Sequence, residues 1–147
     1  MRYLLDTNVV SELRKPPRLA NPNVVAWAAR QTASDLFVSV ITVMEVELGV
    51  ALMERRDPRQ GAILRAWFEQ AIITDLSNQT LPMTIAVIRR TVPMHVPNPR
   101  PDRDAFIAAT ALEHGLTLVT RNTIDFRATG AVLLNPWDPA SVDAAMR

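Results

Sequence analysis

The sequence predicts an α/β protein, a three-layer α/β/α fold whose central sheet is mainly parallel. Three observations carry that expectation. Short, unbroken apolar runs such as Leu36 to Val40 (LFVSV) and Leu116 to Thr120 (LTLVT) recur along the chain, without the polar alternation of a sheet that has one wet face. Between them lie segments of helical period, opened by capping residues and closed by Pro or Gly. Parallel strands need such crossovers, and the crossovers place helices on both faces. At 147 residues the chain has the size of one ordinary domain, and residues 1–147 read as a single unit.

The elements follow in order. Arg2 to Leu5 reads as a short buried strand. Thr7 to Leu13 reads as a helix that Lys15-Pro16-Pro17 ends. Asn21 caps a second helix with Pro22 in its first position, and Val24, Val25, Trp27 and Ala28 form its inward side. Leu36 to Val40 is the second strand. Thr42 opens a long helix through Arg55 that buries Val43, Val46, Val50 and Met53. Asp57-Pro58 breaks it and caps the next helix, which runs to about Ala71 with Ile63, Leu64, Trp67 and Phe68 inward. Ile72 to Leu76 reads as a strand, and Thr80 to Arg90 as a helix with Pro82 in its first turn. Residues 93–101 (PMHVPNPRP) hold four prolines in nine positions and read as an extended loop. Asp102 to His114 is an alanine-rich helix stopped by Gly115. Leu116 to Thr120 and Ala131 to Leu134 are the last strands, before Asn135-Pro136-Trp137.

Composition narrows the chemistry. With no cysteine, disulfide scaffolds, thiolate zinc sites and cysteine nucleophiles are excluded. A hydrophobic share of 48% against 21% charged residues fits a globular chain, not a disordered one. No run reaches the roughly 18 apolar residues of a membrane helix. Tyr3-Leu4-Leu5 meets Asp6 too early for a signal peptide, so the expectation is a cytoplasmic protein with no membrane partner. Lys15 is the only lysine, which leaves little for Schiff-base or P-loop chemistry. The four glycines, Gly49, Gly61, Gly115 and Gly130, form neither a P-loop nor a dinucleotide fingerprint, and there is no GxSxG elbow. A haloacid-dehalogenase-type phosphatase would want Asp-x-Asp after the first strand, where this chain has Asp6-Thr7-Asn8. A receiver domain would want a lysine near the last strands.

In open parallel sheets ligands bind beyond the carboxyl ends of the strands, and acids gather there. Asp6 follows the first strand, although a helix N-cap has the same signature. Glu45 and Glu47 lie on the helix after the second strand, with no basic residue three or four positions away. They point in different directions, so at most one joins a given site. Asp102 and Asp104 open the alanine-rich helix, where capping and the helix dipole also favour acids. Asp125 follows the strand Leu116 to Thr120, within reach of Arg121 or Arg127. Carboxylates brought together repel, and a hard divalent cation with oxygen ligands resolves that repulsion. An acid-only donor set points to Mg²⁺ or Mn²⁺ rather than zinc. His95 and His114 read as solvated or C-capping.

The blocks LLDTNVVSEL (4–13), ITVMEVELGV (41–50), DAFIAATALEHGLTLVTRNTIDF (104–126) and NPW (135–137) resemble, in order, the PIN-domain ribonucleases. The resemblance is to the VapC-type toxins of toxin–antitoxin pairs, close to the FitB-like branch. It implies a PIN-like fold and selects Glu45 over Glu47 and Asp104 over Asp102. The implied catalytic and metal-holding quartet is Asp6, Glu45, Asp104 and Asp125, with Thr7, Thr120 and Asn122 as polar supports. It further implies one or two Mg²⁺ or Mn²⁺ ions, an RNA substrate cut by metal-activated water, a small antitoxin partner and a homodimer or toxin–antitoxin hetero-oligomer. The apolar face with Trp67 and Phe68 is a candidate dimer surface. Arg14, Arg100, Arg103 and Arg121 are candidates for RNA phosphates. Residues 58–100 match no distinctive motif. The rival reading is a PIN module that binds RNA or protein without cutting.

Net charge then separates into two populations. The chain carries 16 basic and 15 acidic residues, a balance that by itself argues against a nucleic-acid partner. Setting aside the four acids leaves 16 against 11, a surface of +5 that is almost all arginine.

Overall fold

The computed structural model describes residues 1–146. Five strands form one all-parallel sheet in the order β3-β2-β1-β4-β5. They are β1 (Tyr3–Leu5), β2 (Leu36–Ser39), β3 (Thr80–Leu81), β4 (Thr117–Val119) and β5 (Leu133–Leu134). The helices are α1 (Thr7–Arg14), α2 (Pro22–Ala29), α3 (Val40–Arg56), α4 (Pro58–Trp67), α5 (Ile85–Thr91), α6 (Asp102–His114), α7 (Thr123–Phe126) and α8 (Pro139–Ala145). The predicted parallel α/β architecture is therefore present.

Successive residues of a strand face opposite sides, and β1 shows it. Tyr3 and Leu5 join one core with Val9, Val24, Trp27, Val50, Phe68 and Val142, so α1, α2, α3 and α8 cover that face. Leu4 joins the other with Val87, Ile107, Ala108, Leu118 and Phe126, so α5, α6 and α7 cover the second. The alanines of α6 are what let it lie close: Ala105, Ala108, Ala109 and Ala111 are fully buried. Gly115 then ends α6 in the left-handed region, at φ 63°, where a residue with a Cβ is strained. Close approach also explains Gly61 of α4. A Cβ there would stand 2.3 Å from the Glu54 Cα of α3.

Several boundaries and faces differ from expectation. Helix α3 begins at Val40, not Thr42, because Ser39 caps it through the Ile41 amide at 3.0 Å. Ile72 to Leu76 is not a strand. The helix after Asp57 continues as a π-helical turn over Phe68–Thr74, which keeps Phe68 and Ile72, four residues apart, on the core side. The helix expected from Thr80 is instead the two-residue edge strand β3, with Thr84 capping α5 at the Val87 amide. The loop at 93–101 opens with a 3₁₀ turn, Val92–His95. Val25 and Ile63 are exposed rather than inward. Phe68 is fully buried, so the face it shares with Trp67 belongs to the core and is not a free dimer surface. His114 is neither solvated nor capping at its Nε2, which is buried without a hydrogen-bond partner among the described residues.

Candidate active site

The chain reverses its direction of travel across the sheet between β1 and β4. It starts at β1, moves outward through β2 to β3, and returns to the other side of β1 as β4. The carboxyl ends of β1 and β4 therefore flank a switch-point crevice.

Asp6 occupies that crevice. Its amide donates to the Val119 carbonyl at 2.9 Å, carrying the β1–β4 ladder one residue further. Its extended backbone makes it the N-cap of α1, and Oδ1 accepts from the Thr7 amide at 2.7 Å. Oδ2 accepts from the Thr120 hydroxyl at 2.8 Å. The cap and a long-range hydrogen bond to Thr120 thus coexist in one side chain. Asp6 is only 5% exposed. Burial pushes its carboxyl above the usual range, the Thr120 and Thr7 donors pull it back, and the neighbouring charges of Asp104 and Glu45 raise it further.

Glu45 projects from α3. Its Oε1 accepts from the Thr7 hydroxyl at 2.7 Å, and that hydroxyl also stands 3.1 Å from the Thr42 hydroxyl. Its Oε2 faces the Arg103 guanidinium at 3.7 Å. The isolation that the α3 sequence suggested is thus relieved from another helix. Asp104, in the first turn of α6, is half-buried. Burial raises its carboxyl, Asp125 and Glu45 raise it further, and Arg100 opposes them. Asp125 stands exposed on α7, with no ion pair to Arg121 or Arg127 among the described residues. Asp104 and Glu45 are thus near enough for their charges to act on Asp6, and Glu45 and Asp125 near enough to act on Asp104. They do not converge into a cage: among the described residues, no three His, Asp or Glu side chains are set together to hold a metal.

The discarded acids lie elsewhere. Glu47 pairs with Arg65 of α4 at 2.6 Å, and Arg65 also reaches Glu54 at 2.8 Å. Asp102 is solvent-facing, 3.6 Å from His95 Nε2. Of the supports, Thr7 and Thr120 hold carboxylates directly. Asn122 acts through its backbone, its amide donating to Thr120 Oγ1 at 3.0 Å. Asn8 also contributes, accepting from the Arg121 amide at 3.4 Å with its Nδ2 3.5 Å from Thr120 Oγ1. Its place in the Asp6-Thr7-Asn8 run was the available signal. Arg14 lines a cleft of about 200 Å³ with Glu45, Val46, Leu64 and Trp67. Arg100 is a clasp: Nε donates to the Met94 carbonyl at 2.9 Å and Nη1 to the Asp125 carbonyl at 3.3 Å. Arg121 lies over the Trp137 ring, 5.4 Å from its centroid.

Residues 3–132 match the family described as PIN domain. The chain belongs to that family. Among curated relatives, the toxin FitB of Neisseria gonorrhoeae is 36% identical over 91% of this chain and 97% of FitB. The VapC ribonuclease Y4jK of Sinorhizobium fredii is 35% identical over 93% of this chain and 99% of its own length. The crystal structure of FitAcB from Neisseria gonorrhoeae superposes with a TM-score of 0.83 at 35% identity, covering 92% of this chain and 98% of that one. FitAB bound to a DNA fragment superposes with a TM-score of 0.82 at 34% identity, over 92% and 96%. The chain therefore has a PIN-like fold and relatives named as a toxin and as a VapC ribonuclease.

Proposed function

We propose that this PIN domain is a Mg²⁺- or Mn²⁺-dependent endoribonuclease and the toxin of a type II toxin–antitoxin pair. The observation that supports the reading is the Thr7 and Thr120 scaffold, which fixes both oxygens of Asp6 and one of Glu45, with Asp104 close enough for its charge to act on Asp6. The donor set fits a hard cation. Mg²⁺ usually binds through one or two carboxylates with retained waters, so a full cage of protein ligands is not needed. Asp6, Glu45 and Asp104 would hold the ion, with Asp125 beside them. Bound there, it supplies charge for the scissile phosphate and acidity to a water.

The chain's own groups do the rest. The Thr7 amide and Thr120 hydroxyl lock the Asp6 carboxylate in one orientation. Asp125, exposed at the rim, can accept a proton from an attacking water. Arg14 and Arg103, beside Glu45, can meet phosphate oxygens of an RNA strand. The Arg14 cleft, floored by Val46, Leu64 and Trp67, offers an apolar track to Glu45 that suits the tail of an antitoxin. Met44, Leu48 and Leu52, spaced four apart on α3, are exposed by 44%, 45% and 61%. They form the apolar stripe that a homodimer would cover.

The test is RNA cleavage by the purified chain with and without Mn²⁺, beside Asp104→Asn. Cleavage that needs the ion and is lost in the folded variant supports the reading. Cleavage without any divalent ion, or full activity in the variant, overturns it. Metal binding without cleavage would favour the rival binding module.

A further inference from the structure

Arg103 is the one basic side chain in ion-pair contact with any of the four acids among the described residues, its Nη1 standing 3.7 Å from Glu45 Oε2. Its own helix gives little reason for it. It sits in the first turn of α6, where the helix dipole disfavours a cation. What compensates is the carboxylate across the cleft.

The two oxygens of Glu45 have different neighbours. Oε1 receives the Thr7 hydroxyl at 2.7 Å, while Oε2 is the oxygen left for a ligand and is the one Arg103 faces. A guanidinium and a divalent cation therefore seek the same atom. Asp6 differs, since both of its oxygens accept from neutral donors. The Arg103 side chain is 51% exposed, so it can leave without disturbing either core.

We propose that Arg103 is an internal counter-ion that occupies Glu45 in the metal-free protein and gives it up to the arriving divalent cation. Arg103 is then a positioning residue that sets the affinity and entry of the metal. This inference rests on the metal-dependent reading above. It accounts for the open arrangement of the acids, because Glu45 is engaged by Arg103 at the rim of the cleft. Exchange of one cation for another also keeps the pocket's charge from rising or falling steeply as the ion arrives.

The experiment is calorimetric titration of the metal-free full chain with Mn²⁺, on wild type, Arg103→Gln, Arg103→Lys, Glu45→Gln and the Glu45→Gln/Arg103→Gln pair. Circular dichroism on each confirms the fold. Removing the competitor is expected to tighten the Mn²⁺ Kd by about two- to fivefold, the worth of a half-exposed ion pair. Arg103→Lys stays near wild type. In the Glu45→Gln background Arg103→Gln adds nothing, since the coupling partner is gone. Unchanged or weaker binding by Arg103→Gln overturns the proposal. So does equal tightening in the Glu45→Gln background, which would mark a general charge effect. Failure of wild type to bind Mn²⁺ overturns both this proposal and the proposed function, whereas binding that ignores Arg103 overturns this proposal alone.

Discussion

Two carboxylates of the same cleft, Asp6 and Glu45, are held in opposite ways. Asp6 follows a central strand, is buried, and has both oxygens fixed by Thr7 and Thr120. Glu45 lies on a helix, has one oxygen on Thr7, and turns the other toward a side chain that can move. The first arrangement costs reorganisation in advance, during folding, because a desolvated carboxyl resists ionising. The second postpones its adjustment until a ligand arrives. Under the proposed metal-dependent reading, one preset wall and one adjustable wall would let the site bind an ion firmly and still admit and release it.

The largest expected effect tests the preset wall. Asp6→Asn keeps the N-cap acceptor but removes the charge, and should reduce metal-dependent RNA cleavage by more than about 100-fold. Glu45→Gln should cost less. Equal losses in a gel-based cleavage assay would erase the contrast between the two. Next come the hydroxyls. Thr120→Val should lower cleavage by about 10–100-fold, the range for groups that orient metal ligands. Thr7→Val should lower it less, because the backbone amide at position 7 still holds Asp6 Oδ1 and only the hydroxyl bond to Glu45 is lost. Kinetics at saturating Mn²⁺ decide the order.

A third effect concerns the support under the adjustable wall. Gly61→Ala forces a Cβ into the α3 backbone at Glu54, and should destabilise the chain by about 1–3 kcal/mol in urea unfolding. The smallest effect is in pH. The raised Asp6 carboxyl means that the folded state holds that proton more tightly than the unfolded chain does. Its contribution is fully present below about pH 3.9, the ordinary Asp value, and is lost as pH rises through the raised folded value. Without metal, Asp6→Asn should therefore melt at a higher temperature than wild type at pH 7, with the gap closing as pH falls. Adding Mn²⁺ should raise the wild-type Tm and not that of the variant, as thermal scans with and without chelator would show.

The same contrast explains what the sequence disclosed. Asp6 and the acids opening α6 stood out because strand ends and helix starts mark themselves with apolar runs and caps; the choice of Asp104 over Asp102, and Thr120 as a support, came from the resemblance to PIN-domain ribonucleases. The partner of Glu47 was not, since Arg65 stands eighteen positions away and no periodicity links α3 to α4. Ile72 to Leu76 looked like a strand because a short apolar run has no period of its own. Only packing shows that Phe68 and Ile72 share a helical face. Strand β3, two residues at the sheet edge, is too short to announce itself. The role of Arg100 as a clasp was equally hidden, since its acceptors are backbone carbonyls.

The strand order has a consequence for the protein while it is being made. β1, β2 and β3 emerge in sequence and lie side by side, yet the crevice is closed by α6 and β4, which come only after them. A nascent chain that has reached only α5 has Asp6 and Glu45 but neither Asp104, Thr120 nor Asp125. At translation speeds of about 5–20 residues per second, the stretch from α5 to Asp125 takes a few seconds to make. Under the proposed ribonuclease reading, the site cannot act on RNA until Asp125 has left the ribosome.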